Sequence, residues 1–278
     1  MDALLAYSSS DSSGDENGDD DELVPPVKKA RQDLDEACKS RELLAVPNDI
    51  LHMFAEGESR DDDDKDLHMG RSRSFAHVAG NWATYLHVPI TCSSGFGQCV
   101  QRLCDHLCGK FPPSAEHAEF HVIPACDLHV TVSRTVAIRH HWIEPLMNKL
   151  SCGLTNHRCF KYQLSDLEVY CNDTKTRSFF GLEILFGQEN LLQLVETIDD
   201  EFEQFKLPKY YEDPSFHLSV IWCLGDIRTM FPKKTLLKLQ EHWNKLLQEH
   251  GISVFTEYFA TEVHCKCGNK RFQFPLKS

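Results

Sequence analysis

"DLHVTVSRT" at 127–135 and "PSFHLSVIW" at 214–222 are two versions of one short phrase. Each runs histidine, apolar, hydroxyl, apolar: His129-Val130-Thr131-Val132, then His217-Leu218-Ser219-Val220. A bare His-x-Ser/Thr carries little information, because 15 histidines give about two by chance. Requiring apolar residues before the histidine, between it and the hydroxyl, and after it cuts that to roughly a tenth or two of a match. In an extended strand residues i and i+2 share a face. Each histidine therefore lies beside its hydroxyl partner, while the intervening apolar residues turn toward a core.

Outward from the two phrases, strand-like runs alternate with amphipathic helical ones. Strands are predicted at "WATYLHVPI" (82–90), 128–138, within "CFKYQLSDLEVYCN" (159–172), at "SFFGLEILF" (178–186) and at 216–225. Helices are predicted over 96–109, 139–151, 189–205 and 233–249. In the third, Leu191, Leu194, Val195 and Ile198 recur at helical spacing. "SVFTEYFATEVHCKCGNKRFQFPL" (253–276) supplies closing strands. The order is strand-helix-strand-helix twice, with one phrase near the middle of each half. It predicts an α+β fold of two lobes related by an approximate twofold about a central cleft. Two imidazoles and two hydroxyls would then converge on that cleft.

Residues 76–278 are expected to form this domain, behind an acidic, disordered segment at 1–75. The formal charge of −13 sits wholly in residues 1–70, which hold 20 acidic and 7 basic residues, whereas 71–278 hold 22 of each. The acidic total thus does not count against a nucleic-acid partner. "PPVKKAR" at 25–31 is a candidate nuclear import signal, with a few solvated charges as the plainer alternative. The opening "MDALLAYSSSDSSGDENGDDDE" has no basic n-region and no apolar run, so the twelve cysteines are expected to be reduced thiols. Cys265 and Cys267 beside His264 lack a second cluster at zinc-finger spacing, and no metal or other cofactor is expected. No stretch has the length and apolarity of a membrane span.

Two histidines and two hydroxyls without a metal suit the breaking of an RNA phosphodiester. A base must take the proton of the attacking 2′-oxygen and an acid must protonate the departing 5′-oxygen. Imidazole can do either near neutral pH. Ser and Thr hydroxyls can donate to the non-bridging phosphate oxygens as charge develops there. The plainer reading is that both histidines are half-buried strand residues.

The tandem pattern resembles the two-histidine phosphoesterase superfamily, and "GNWATYLHVPI", "LHVTVSRTVAIRHHWIEPL", "VYCNDTKTRSFFGLEI", "YYEDPSFHLSVIWCLGD" and "VHCKCGNKRFQFPL" are similar to its U6 small nuclear RNA phosphodiesterase branch. The resemblance implies a two-lobed fold with a central groove and a metal-independent, 3′-to-5′ trimming of the oligouridine tail of that RNA, ending in a 2′,3′-cyclic phosphate. It implies catalytic roles for His129 and His217 and phosphate-binding roles for Thr131 and Ser219, Thr131 standing where this branch usually has Ser. Tyr211 matches an aromatic that packs on the terminal base. Asp173 falls in a loop where relatives tend to carry an amide that touches the uracil, and a carboxylate cannot donate to a uracil carbonyl. Ser215, Phe216, Leu218 and Val130 complete the expected substrate-binding set. Lys175 and Arg177 are either a solvated turn or a guide for the RNA backbone. A nuclear, monomeric protein with RNA as its partner and no membrane is expected. Two alternatives stay open: a 2′,3′-cyclic phosphodiesterase of the same superfamily, and a non-catalytic RNA-binding module.

Overall fold

The computed structural model describes residues 80–113, 119–253 and 256–278. The disorder expected over 1–75 and the basic cluster at 25–31 lie outside the described residues. The chain runs β1 (Asn81–Pro89), α1 (Ser94–Lys110), β2 (His121–Val122), β3 (His129–Thr131), β4 (Val136–Arg139), α2 (Ile143–Leu154), β5 (Phe160–Cys171), β6 (Arg177–Phe186), α3 (Gln188–Gln204), β7 (His217–Leu224), α4 (Lys233–Glu249), β8 (Glu257–Ala260), β9 (Glu262–Cys267) and β10 (Lys270–Pro275).

All ten strands join in one sheet ordered β10-β9-β1-β3-β7-β6-β5-β8, with β4 also on β1 and β2 also on β7. The sheet has a seam where β3 meets β7 with Val130 opposite Leu218. Counted outward from the seam, β3-β1-β9-β10 answers to β7-β6-β5-β8, and every pair along both arms is antiparallel. The two lobes are these arms, in an α+β architecture. The helices do not respect the chain halves, however. α1, which follows β1, packs on α4 and reaches β2 and β7 in the opposite arm, while α2 packs on α3 and reaches β10.

Strand alternation fixes which face is dry. Leu86, Val88, Val130, Val132, Leu218 and Val220 are all fully buried in one core with the helices' apolar stripes, each such side chain contributing on the order of 1.5–3 kcal/mol. α1 illustrates the local logic. The Ser93 hydroxyl accepts from the Phe96 amide at 3.2 Å and caps the helix. Phe96, Cys99, Val100, Leu103, Cys104 and Leu107 then make its buried stripe.

The single strand predicted over 128–138 is two strands. Between them Val132 donates to the Leu86 carbonyl at 3.0 Å, and the Leu86 amide donates to the Ser133 hydroxyl at 2.8 Å. A side chain thus takes the place of a backbone partner, and the chain steps from one segment of β1 to another. The helix predicted from 139 begins at Ile143, after a 3-10 turn at His140–Trp142. Pro145 lies in its first turn, where a missing N–H costs nothing. The two-residue β2 is too short for any periodic signal. Among the described residues no helix is long and apolar enough to cross a membrane.

Candidate active site

Register at the seam decides the geometry. With Val130 opposite Leu218 in antiparallel strands, His129 faces Ser219 and Thr131 faces His217, all four on the side away from the core. The two histidines are diagonal neighbours, about 7–8 Å apart at their backbones, and the two hydroxyls occupy the other diagonal. That spacing leaves room for a tetrahedral phosphate between two imidazoles. Among the described residues neither hydroxyl is engaged by another group.

Both rings are oriented in the same way. His129 Nδ1 lies 2.5 Å from the Asp127 carbonyl and His217 Nδ1 lies 2.8 Å from the Ser215 carbonyl, in each case two residues back. A carbonyl only accepts, so Nδ1 must carry the proton and Nε2 is left as the exchanging atom. Burial holds both imidazoles below the ordinary histidine range, opposed by those carbonyl bonds. The Asp127 carboxylate adds an upward pull on His129, and the His129 charge a downward one on His217. Each ring is therefore poised to be neutral near pH 7 and to charge when an anion arrives.

His217 is further fixed by Tyr170, whose ring stacks flat on it, 3.6 Å between centroids and 9° between planes. Gly181 makes the space for this stack. A Cβ there would come within 2.9 Å of the Tyr170 ring and 3.0 Å of His217 Cδ2. Gly181 pairs with Glu168 of β5 on one side and Ser219 of β7 on the other, beside a bulge at Phe180/Gly181. Sequence reasoning missed both residues, since only cross-strand register brings them to His217.

Tyr211 is 41% exposed beside the seam. Its hydroxyl donates to Asp173 at 3.2 Å, and the Arg134 guanidinium lies 4.1 Å over its ring. Arg134 also approaches Asp173 at 3.8 Å. Asp173 thus holds an aromatic and a cation rather than facing the cleft alone. The neighbouring amide, Asn172, is spent inside its own turn on Thr174, Thr176 and Arg177. Tyr210 braces the group, its hydroxyl donating to the Thr131 carbonyl at 3.1 Å.

The expected substrate contacts at Val130, Leu218 and Phe216 need correction. These side chains are 0%, 0% and 4% exposed and packed in the core, Val130 and Leu218 pair with a neighbouring strand on each side, and the Phe216 carbonyl accepts from the Ile184 amide at 3.1 Å. Ser215 contributes the carbonyl that orients His217. Cys265 and Cys267 are buried while His264, on the alternate face, is not, so strand pleat separates the CxC pair from its histidine. Among the described residues no group of three His, Cys, Asp or Glu is placed to hold a metal ion.

On the β1 side of His129 opens a cleft of about 410 Å³ lined by Tyr85, His87, Arg177, Phe179, Lys266 and Arg271, among others. His87 lies across from Thr131 on one side and His264 on the other, its ring 4.7 Å from that of His129. Burial, then the charges of His129 and His264, push His87 down to about 3. Its folded-state value lies below the unfolded one, so its contribution is present above pH 6.5 and is lost as pH falls toward 3. His87→Gln is expected to reduce the fall in unfolding free energy between pH 7 and pH 5 by about 2 kcal/mol. Urea unfolding at the two pH values checks this, and parallel losses in variant and wild type would refute it.

The HVSL family model, described as an uncharacterised conserved protein, matches residues 44–275 and so spans both histidine phrases. U6 snRNA phosphodiesterase 1 of Homo sapiens is 35% identical over 274 residues, covering 99% of this chain and 98% of that protein. The protein of the same name from Drosophila melanogaster is 32% identical over 277 residues, covering 99% and 100%. Among solved structures, Usb1 of Kluyveromyces marxianus aligns with 70% of this chain and 98% of its own at 15% identity, with a TM-score of 0.48. E. coli LigT complexed with 3′-AMP aligns with 71% and 96% at 14% identity, with a TM-score of 0.41. It is the full-length sequence relationship that carries the assignment, and on it the chain belongs to the U6 snRNA phosphodiesterase family.

Proposed function

We propose that this protein trims the 3′ oligouridine tail of U6 snRNA from the 3′ end by transesterification, as a nuclear monomer, leaving a 2′,3′-cyclic phosphate. The names of its relatives support the substrate, and that substrate supports the compartment. The observation that carries the chemistry is the in-register crossing of His129-x-Thr131 and His217-x-Ser219 at the seam. His129 takes the proton of the penultimate 2′-hydroxyl, whose oxygen attacks phosphorus. The bond from phosphorus to the terminal 5′-oxygen breaks, and His217 protonates that oxygen. Thr131 and Ser219 donate to the non-bridging oxygens. Tyr211 packs on the departing base, and the Arg134 guanidinium, 4.1 Å over that ring, meets a uracil carbonyl where relatives offer an amide.

Mass spectrometry of an oligouridine-tailed RNA after treatment tests the reading. Shortened products with a cyclic end are expected. Opening of a preformed cyclic end without shortening would replace this reading with cyclic phosphodiesterase activity. A second expectation concerns Gly181→Ala, which displaces Tyr170 and His217 by a few tenths of an ångström or more. The trimming rate should fall about tenfold to a hundredfold while the melting temperature changes little. A wild-type rate would show that the stack on His217 does not set its position.

A further inference from the structure

We infer that the cleft between β1, β9 and the seam is the subsite for the retained RNA strand, taking the phosphates 5′ of the scissile one on Lys266 and Arg271 and a base on Tyr85. The inference rests on the proposed trimming reading and adds the direction in which the RNA lies.

Two cross-strand pairs build the subsite. Tyr85 of β1 faces Lys266 of β9, which faces Arg271 of β10, and all three line the cleft of about 410 Å³ next to His129. Neighbouring strands lie about 4.8 Å apart, so β9 carries its charge roughly 10 Å from β3. Lys266 is close enough that its charge lowers the His129 pKa. Neither Lys266 nor Arg271 makes a salt bridge among the described residues, and Asp127 is the one carboxylate lining this cleft.

Arg177 and Phe179 of β6 line the far side of the same cleft, but past His217 the opposite arm turns acidic. Glu183 pairs with His217, and Glu168 pairs with Gly181, on the face of the histidines. Beyond them Asp173 neutralises Arg134. A polyanion leaving the phosphate site in that direction would run over the carboxylates of Glu183 and Glu168, while Asp173 and Arg134 offset each other. A departing nucleoside carries no phosphate and meets no such repulsion, and Tyr211 and Arg134 offer it an aromatic ring and hydrogen-bond donors. The charge pattern therefore orients the substrate: nucleoside toward Tyr211, chain toward Arg271.

Binding of oligouridylates two and six nucleotides long, each with a 2′-deoxy sugar at the penultimate position, tests this without turnover. In the wild type the hexamer should bind more tightly than the dimer. K266Q/R271Q should erase most of that gain, leave the dimer within about twofold, and flatten the salt slope for the hexamer by about 1.4, from two single-strand phosphate contacts. The charge-keeping K266R/R271K should retain it. Both positions are at the surface, and a melting curve checks the fold. A double variant that keeps the full length gain and slope would overturn the inference, as would one whose dimer affinity falls as far as its hexamer affinity. Cleavage of unmodified hexauridylate by the wild type reports separately on the trimming reading, so each can fail alone.

Discussion

His129→Ala and His217→Ala are each expected to slow trimming about 10²- to 10⁴-fold, the range for loss of one positioned acid or base. The double variant should be little worse than either single one, because proton removal and proton delivery belong to one concerted step. The fold should survive, since the seam is held by Val130 and Leu218, both fully buried, while the two rings sit on the opposite face. Single-turnover rates and melting curves for the three variants make the comparison. Near-normal activity in either single variant would reject the mechanism. So would two losses that simply multiply, which would mean that the histidines act in separate steps. The Nδ1 bonds to the Asp127 and Ser215 carbonyls sharpen the expectation. An alanine removes the imidazole at its corner, and neither hydroxyl on the other diagonal is basic enough near neutral pH to replace it.

The alternation of His, apolar, hydroxyl, apolar made the two central strands legible in the sequence, because a period of two is a local property and both copies carry it. Helix stripes such as Leu191, Leu194, Val195 and Ile198 were legible for the same reason. What the chain does not reveal locally is register. Gly181 reads as an ordinary glycine in a strand until Ser219 is placed opposite it, and Tyr170 reads as a strand aromatic until it stacks on His217. Arg134 falls just after the alternating core of the first phrase, in the step that Ser133 creates between β3 and β4, where no periodicity operates. The exchange of α1 onto the opposite arm is likewise invisible, since its stripe would fit either side of the sheet. Asp173 was singled out for the amide it lacks. The structure instead gives it a partner, Tyr211, whose hydroxyl reaches it from 38 residues away in sequence.

A substrate with a 2′-deoxy sugar at the penultimate position is expected to resist cleavage altogether while still binding. In the proposed step the 2′-oxygen is the nucleophile, so its removal deletes the reaction rather than weakening it, whereas phosphate contacts and stacking on Tyr211 are untouched. Water has no part in that step. Direct hydrolysis would need no 2′-hydroxyl and would cut both substrates at comparable rates, so efficient trimming of the deoxy substrate would overturn transesterification and spare the two histidines. The pH dependence bears on the same point. One imidazole must be neutral and the other protonated, so kcat/KM should be bell-shaped, with two apparent values that belong to the pair. Burial lowers both histidines, which places the maximum for the free enzyme on the acid side of pH 6.5. A profile that climbs steadily to pH 8 would mean that no protonated imidazole is required, and the acid role of His217 would fall with it.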